Sequence, residues 1–417
     1  MDGHSVKRVL MIAFHFPPAS ISSGIQRTLK FSTYLPEFGW KPNVLTVHPR
    51  AYESTGSDQM GDIPQDLVVR RAFSLNAARH MTLAGRYPLF LALPDRWSSW
   101  WLGGIVSGLK MIREQRPDVL WSTYPIATAH LIALTLHRLT SIPWVADCRD
   151  SMTEEHYPAN ATVRSVYQWI ERQAAKRAAR VVFTSPGTLA MYARRYPDVP
   201  AARWGIVGNG YDEGNFSSAE RGSAGEGRSA GRVTLVHSGI LYPSERDPTQ
   251  FFDAVAELKK EGVVSSDRLC VRLRGTRYES VFGPELERRG IADIVSLDPP
   301  TGYEAALQEM LSADGLLIFQ AANCNHQIPA KLYEYFRARR PVLGLTDPVG
   351  DTAREMMRAG LDAIAPLDDK AEIKRQLAAF LAAIEQKRAA VANDGAVASA
   401  SRRSRTAQLA DLLNTVA

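Results

Sequence analysis

A loop of small residues after the first predicted strand is the first candidate for chemistry. Residues 17–27 (PPASISSGIQR) join an apolar run to a predicted helix that opens near Gly24. Backbone N–H groups at a helix N-terminus attract phosphate, and a glycine lets an anionic ligand approach the main chain. The loop therefore predicts a phosphate contact at Gly24. An ordinary turn with Ser22 or Ser23 as its N-cap would use the same residue types.

Motifs that define several large enzyme classes are missing. Neither predicted first β-α turn carries GxGxxG, and the sequence contains no GxxxxGK[ST] and no HExxH. The patterns for a classical nicotinamide enzyme, a P-loop nucleotidase and a zinc protease are therefore absent. Cys148, Cys270 and Cys324 are far apart and form no CxxC pair, which indicates neither a zinc site nor a disulfide framework and fits a reducing compartment.

Short apolar runs alternate with amphipathic segments along the whole chain. This alternation predicts a parallel, doubly wound α/β sheet in each half of the protein. Strands are predicted at 9–14, 43–47, 118–122, 144–146, 181–184 and 205–208, and then at 233–237, 270–274, 294–297, 315–319, 341–345 and 363–365.

The pattern also divides the chain into domains. Residues 217–231 are rich in Gly, Ser, Ala and charge without periodicity, which is typical of a flexible connector. We expect an N-terminal Rossmann-like domain at 1–211, a linker at 212–232, a C-terminal Rossmann-like domain at 233–390 and a tail helix at 391–417. Ligands of such sheets bind at the carboxyl ends of the strands, so a central cleft between the domains is expected.

Composition restricts the class of protein further. The 417 residues are 45% hydrophobic and 23% charged, as in ordinary globular proteins. The net charge of +6 is too small to indicate nucleic-acid binding, but it divides into +9 through Tyr211 and −3 beyond it. The first half is therefore either a solvated basic surface or a surface that meets an anionic partner such as phosphate, phospholipid or acidic glycan.

The location of the protein follows from the same sequence. No apolar run approaches the ~18–20 residues of a membrane span, and a polar start argues against a signal peptide. We expect a cytoplasmic protein.

Several segments resemble bacterial family 4 glycosyltransferases. Residues 12–18 (IAFHFPP) and 23–27 (SGIQR) are similar to the opening of that family, and 237–241 (HSGIL) with 246–248 (RDP) to its first donor-domain turn. Its nucleotide-sugar segment resembles 327–335 (QIPAKLYEY) with 340–343 (RPVL), and the strand before its interdomain linker resembles 207–212 (VGNGYD). The similarities keep the family's order, and 331–343 is the most specific of them.

This resemblance implies the GT-B fold, in which two Rossmann-like domains face a central cleft. The first domain would bind mainly the acceptor and the second the nucleotide sugar. Transfer would be hexosyltransferase-like, would retain the anomeric configuration, and would need neither a metal nor a cofactor besides the donor.

The resemblance also assigns donor-binding residues. Glu334 would accept hydrogen bonds from the ribose hydroxyls, since a carboxylate can accept two at once. Pro329 can begin a helix at N1, so that the following amides and Lys331 face the diphosphate. Gly24 and Gly239 complete the expected donor contacts. An exposed helix face is the alternative for Lys331 and Glu334.

Two positions depart from the family pattern. Arg246 matches the phosphate-binding arginine, but Pro248 and Thr249 stand where a lysine is usual. Because metal-free transfer needs cations to stabilise the departing diphosphate, we expect Arg246 and Lys331 to share this task. His326 replaces a glutamate that contacts the donor sugar; it either hydrogen-bonds the sugar hydroxyls or is an incidental loop residue.

The first domain contributes Arg149 and Asp150, in a segment DCRD that some relatives carry where others have a histidine-containing motif. The segment follows a predicted strand, where α/β sheets present ligand-binding groups. Arg149 is expected to contact the acceptor or a phosphate, and Asp150 to orient sugar hydroxyls. A buried structural Asp–Arg pair is the alternative. In the usual proposal for retaining transfer the leaving phosphate takes the acceptor proton, so no separate general base is required.

A tryptophan cluster precedes a predicted helix in the same domain. Trp97, Trp101 and Ile105 share one helical face, which favours core packing. The alternative is an interfacial patch in which Arg96, Lys110 and Arg113 approach anionic lipid at the inner face of the plasma membrane.

Taken together, the sequence predicts transfer of a sugar from a nucleotide-diphosphate sugar to a glycan or lipid-linked acceptor in cell-envelope or exopolysaccharide synthesis. Two alternatives stay open: a nucleotide-sugar epimerase on the same fold, and a sugar-nucleotide-binding protein without transfer activity.

Overall fold

A computed structural model describes residues 6–20, 24–57, 59–82, 86–155, 157–222 and 231–417. The chain forms two compact units. The first unit comprises Met1–Asn209 together with Arg402–Ala417, and the second comprises Gly210–Ser401.

The first unit is built on a parallel sheet with helices along it. Its strands are β1 (Lys7–Ile12), β2 (Trp40–Val47), β3 (Val68–Ala72), β4 (Val119–Thr123), β5 (Trp144–Asp147), β6 (Arg180–Phe183) and β7 (Trp204–Ile206). Its helices include α1 (Gly24–Tyr34), α2 (Ala77–His80), α3 (Trp100–Gln115), α4 (Ala127–Thr140), α5 (Ala161–Arg177) and α6 (Pro186–Arg195). The strand order β3-β2-β1-β4-β5-β6-β7 is doubly wound, with its topological switch point between β1 and β4.

The second unit repeats this architecture. Its strands are β8 (Val233–Ser238), β9 (Leu269–Arg274), β10 (Val295–Asp298), β11 (Gly315–Phe319), β12 (Val342–Leu345) and β13 (Ile364–Ala365), in the parallel order β10-β9-β8-β11-β12-β13. The helices are α7 (Glu213–Gly222), α8 (Thr249–Lys260), α9 (Glu279–Arg289), α10 (Tyr303–Ser312), α11 (Lys331–Ala338), α12 (Asp351–Arg358), α13 (Lys370–Glu385) and α14 (Asp394–Ser399). The last helix of the chain, α15 (Arg402–Asn414), belongs to the first unit.

Every predicted strand overlaps an observed one, and the predicted α/β class is confirmed. The additional strand is β3, whose sequence VVRRA carries two arginines at the edge of the sheet. Strands β4 and β11 are buried along their whole length, as their continuous apolar runs indicate.

The structure departs from the expected connector and tail. Residues 213–222 of the expected linker form α7, because Phe216 and Ala219 bury one face of this segment. Residues 223–230 of that linker lie outside the described residues. The expected tail at 391–417 is divided, with α14 in the second unit and α15 packed through Leu409 and Leu413 into the core of the first.

The tryptophan cluster belongs mainly to the core. Trp100 is fully buried, and the ring of the partly buried Trp97 lies 4.5 Å from that of Phe14. Trp97 also donates a hydrogen bond from Nε1 to the carbonyl of Ala51, at 2.8 Å. Trp101 remains 36% exposed. The predicted core packing is therefore confirmed for Trp97 and Ile105 and is wrong for Trp101, whose neighbour Trp100 is the buried residue instead.

A buried ion pair fixes the carboxyl edge of the first sheet. Arg27, on α1, donates from Nε and Nη2 to the two carboxylate oxygens of Asp147 at the end of β5, at 2.8 and 2.7 Å. The same guanidinium donates to the carbonyls of Val207 and Gly208, at 2.8 and 3.0 Å. Thr123, at the end of β4, donates its hydroxyl to Asp147 at 2.7 Å. Four structural elements are thereby tied together at one edge.

We expect Arg27→Met to destabilise the first unit strongly. Removing one partner of a buried ion pair leaves an uncompensated charge, at a cost of about 3–5 kcal/mol in the free energy of unfolding. The exposed pair of Arg96 and Glu53 supplies the control, because Arg96→Met should cost less than about 1 kcal/mol. Urea unfolding followed by circular dichroism measures both, and equal losses in the two variants would contradict the prediction.

Candidate functional site

The carboxyl end of β8 carries the residues predicted for donor binding. Gly239 follows this strand with φ of +121°, a conformation that side chains rarely adopt. A Cβ built on Gly239 would lie 2.8 Å from Nζ of Lys331. The ammonium group therefore lies directly over the glycine main chain, and the structure brings Gly239 and Lys331 together.

His237 holds Lys331 in this position. Nδ1 of His237 lies 2.9 Å from the carbonyl of Leu317, and because a carbonyl can only accept, Nδ1 must carry the proton. The lone pair of Nε2 then faces Nζ of Lys331 at 3.1 Å and accepts a hydrogen bond from it. Burial and the adjacent Lys331 lower the pKa of His237 well below its ordinary value. A neutral imidazole thus orients the ammonium without neutralising it.

Arg246 adds a second positive charge to the same place. Its guanidinium lies 5.5 Å from the centre of the Tyr242 ring and donates to the carbonyl of Ile240 at 3.1 Å. Burial, followed by the charge of Arg246, lowers the pKa of Lys331 well below its ordinary value. Within the described part of the chain, neither Lys331 nor Arg246 forms an ion pair. Two neighbouring cations without a carboxylate partner suit a diphosphate.

Glu334 lies one turn further along α11. The half-buried carboxylate accepts a hydrogen bond from the hydroxyl of Tyr303 at 2.8 Å. A carboxylate offers about four lone-pair sites, so Glu334 can accept ligand hydroxyls beside this contact. Pro329 precedes the helix, which begins at Lys331 rather than at Pro329. The backbone N–H of Ser238 donates to the hydroxyl of Tyr335 at 3.2 Å and joins α11 to the end of β8.

His326 lies in the segment before this helix. Its Nε2 is 3.3 Å from Nε2 of Gln327, and the preceding Asn325 donates to Asp347 at 2.6 Å. A Cβ on Gly350 would come within 2.8 Å of Oδ1 of Asn325, so the segment is closely packed.

The predicted residues of the first unit lie at the carboxyl edge of its own sheet. Arg149 is 8% exposed, and its backbone carbonyl accepts a hydrogen bond from Thr184 at 2.6 Å. Its side chain makes no hydrogen bond or ion pair within the described residues, and its Nε is buried. Asp150 is exposed. The buried structural pair considered for Arg149 and Asp150 is instead formed by Arg27 and Asp147.

His15 and Gly24 belong to the same edge. Burial and the charge of Arg149 lower the pKa of His15 to about 3, so its imidazole is neutral. Gly24 is the buried first residue of α1. The predicted caps Ser22 and Ser23 lie outside the described residues.

A polar cavity of about 550 Å³ lies elsewhere in the first unit. Buried Glu171 holds two of the lining residues in place. Its carboxylate accepts hydrogen bonds from Tyr196 and Arg195, which line the cavity, and from Tyr192, at 2.7, 2.6 and 2.9 Å. The charged residues that line the cavity are three acidic and three basic, Glu154, Glu155, Asp198, Arg172, Lys176 and Arg195. This balance gives the cavity no preference for anions, and none of the predicted site residues lines it.

Sequence reasoning missed His237, Tyr303 and the pairing of Arg27 with Asp147. The available signal for His237 was its position as a histidine at the end of an apolar strand. Among the described residues, no group of three or more His, Cys, Asp or Glu is arranged to hold a metal, and no helix is long and apolar enough to cross a membrane. Cys148, Cys270 and Cys324 are free thiols.

Comparison with known proteins agrees with this architecture. Residues 24–210 match the family model described as a glycosyl transferase 4-like domain, whereas no curated protein matches the sequence. Sucrose-phosphate synthase from Thermosynechococcus elongatus is 13% identical over 98% of each chain, with a TM-score of 0.67. HepE from Anabaena, solved with UDP-glucose, is 14% identical over 98% of this chain and 99% of its own, with a TM-score of 0.63.

An epimerase shares the fold as well. The UDP-GlcNAc 2-epimerase from Methanocaldococcus jannaschii is 10% identical over 98% of this chain and 99% of its own, with a TM-score of 0.57. At such identities the likeness concerns the fold. The resemblance found in the sequence is supported where the family model matches: residues 24–210 are similar to a glycosyl transferase 4-like domain, and the chain has the GT-B fold.

Proposed function

We propose that this protein is a retaining, metal-independent hexosyltransferase. It moves a sugar from a nucleotide-diphosphate sugar to a glycan or lipid-linked acceptor in cell-envelope or exopolysaccharide synthesis. The observation that carries the proposal is the pair of cations at the end of β8, Lys331 and Arg246. Neither has an ion-pair partner in the described chain, and Lys331 lies over Gly239.

The chemistry follows from these charges. In the transfer, the bond between the anomeric carbon and the diphosphate oxygen breaks, and a bond to the acceptor oxygen forms. Negative charge builds on the departing diphosphate, and Lys331 and Arg246 are placed to stabilise it. The leaving phosphate takes the proton of the acceptor hydroxyl. Glu334, on the helix that carries Lys331, holds the ribose, and the UDP-glucose complex of HepE makes UDP-sugars the first donors to test.

The epimerase alternative is favoured by one observation, the shared fold of the UDP-GlcNAc 2-epimerase. Incubation with a panel of UDP-, GDP- and ADP-sugars separates the candidates when binding, hydrolysis, epimerisation and transfer to a membrane extract are all measured. Transfer supports the proposal. A new epimer formed without acceptor would favour the epimerase, and binding without any turnover would favour a protein that has lost transfer activity.

Glu334→Gln should weaken nucleotide binding at least about tenfold. A hydrogen bond to a charged group contributes about 1.5–3 kcal/mol, and the amide presents only one oxygen to the ribose hydroxyls. Isothermal titration with UDP measures the loss. The exposed Glu287 on α9 provides the matched control, because Glu287→Gln removes the same charge from the second unit. Unchanged affinity in Glu334→Gln would contradict the assignment of the ribose site.

Diphosphate binding should be coupled to proton uptake by Lys331. The pKa of Lys331 is lowered in the free protein by burial and by Arg246, and an anionic ligand must raise it again. Proton uptake is therefore expected at pH values between the pKa of Lys331 in the free protein and its higher pKa in the complex. At pH values below the first pKa or above the second, the uptake should vanish.

Titration of UDP in buffers with different ionisation enthalpies measures the protons taken up. Lys331→Met should abolish the dependence on buffer and weaken binding. The control Lys374→Met removes a lysine that is paired with Glu261 on the surface, and should leave the coupling intact. Uptake that persists in Lys331→Met would assign the proton to another group.

Association with an anionic membrane is the second part of the proposal. The first unit carries 27 Lys and Arg against 16 Asp and Glu. On α3, Leu102 and Val106 are 64% and 72% exposed, and they stand one turn apart in line with exposed Lys110 and Arg113. Phe90, ten residues before this helix in the sequence, is 70% exposed. An apolar stripe that continues into basic residues suits the interface of an anionic bilayer.

The double variant Leu102→Glu, Val106→Glu should lose flotation with phosphatidylglycerol-containing vesicles. It removes buried apolar area at the bilayer and adds two repelling charges. The control Val281→Glu, Val349→Glu makes the same change at two exposed valines of the second unit. Native protein should float at low salt and less at high salt. Absence of salt-dependent binding, or equal behaviour of the two double variants, would reject this surface.

A further inference from the structure

Arg149 is a buried cation that lacks a partner. The residue is 8% exposed, its Nε is buried without a hydrogen bond, and its side chain forms no ion pair within the described residues. An unpaired charge taken out of water costs several kcal/mol, and native structures rarely keep one without a function. The hydrogen bond from Thr184 to the carbonyl of Arg149 fixes the main chain from which this side chain extends.

The surrounding groups explain why no protein carboxylate neutralises Arg149. Asp147 is fully engaged by Arg27 and Thr123. Asp150 is exposed and forms no ion pair with Arg149. Burial lowers the pKa of Arg149, and the charge of Arg27 acts in the same direction, whereas Asp150 and Asp147 oppose the shift without forming an ion pair with Arg149. His15 is neutral beside it and can exchange hydrogen bonds with a ligand.

We infer that Arg149 forms a binding subsite for an oxyanion carried by the acceptor, a phosphate or a carboxylate. The guanidinium fork matches both groups with two parallel N–H···O bonds. The inference rests on the proposed function, because the donor diphosphate is already matched by Lys331 and Arg246 in the second unit. Arg149, an unpaired buried cation among the described residues of the first unit, then suits the other substrate, which would carry an anionic group.

Inorganic phosphate and acetate are the probes, and the Nε–H signal of Arg149 in ¹⁵N nuclear magnetic resonance is the readout. The signal is assigned by its loss in Arg149→Lys. Phosphate should shift it saturably in the native protein. Phosphate affinity, measured by isothermal titration with UDP present to occupy the donor site, should fall about tenfold in Arg149→Lys, because lysine lacks the bidentate fork. The surface variant Arg96→Lys leaves the response unchanged.

The outcomes separate the acceptor classes and the two proposals. A response to phosphate alone indicates a phosphorylated acceptor, and a response to acetate as well indicates a carboxylate-bearing one. A signal that neither ion moves would overturn the inference. Glu334→Gln should lose UDP binding but keep the phosphate response, so a failure of the donor site is distinguishable from a failure at Arg149.

Discussion

The ion pair between Arg27 and Asp147 is the constraint on which the first unit depends. Four of the five N–H bonds of Arg27 are satisfied, two by Asp147 and two by carbonyls after β7. Because this pair takes both oxygens of Asp147, and the exposed Asp150 forms no ion pair with it, Arg149 has no ion-pair partner among the described residues. The same interaction therefore stabilises the edge of the sheet and creates the surplus charge at it.

The second unit also contains a positive charge without a carboxylate partner among the described residues, and here a histidine orients it. A carboxylate beside Lys331 would form a stable ion pair and would compete with any diphosphate for the ammonium group. His237 accepts one hydrogen bond and carries no charge, since its Nδ1 proton is donated to Leu317. Lys331 is thus oriented but remains unneutralised, and Arg246 further disfavours its charged form in the free protein. An anionic ligand would relieve this electrostatic strain.

The sequence predicted what local patterns determine. The apolar runs marked twelve of the strands. Lys331 and Glu334 fall on one helix because their spacing and the preceding proline favour it.

Local sequence patterns could not predict interactions between residues that are far apart in the chain. Arg27 and Asp147 are 120 positions apart, and nothing local distinguishes Asp147 from Asp150 as the partner of an arginine. The return of α15 to the first unit depends on Leu409 and Leu413 fitting a core formed some two hundred residues earlier, which periodicity alone cannot indicate. β3 was missed because its arginines mask the apolar pattern at an edge of the sheet.

Charge acts at two different ranges in this protein. The first unit has an excess of 11 positive charges and the second an excess of 5 negative ones, yet the proposed diphosphate site lies in the acidic unit. Salt screens exposed charges beyond about 8–10 Å, so the acidic surface has little influence on a site where Lys331 and Arg246 are partly withdrawn from water. A membrane or an acidic glycan, as proposed for the first unit, would meet many exposed charges at once, so the summed basic excess of that unit would govern such binding. The net charge of a unit therefore bears on the binding of a large partner such as a membrane. Single buried charges bear on the binding of a small ligand such as a diphosphate.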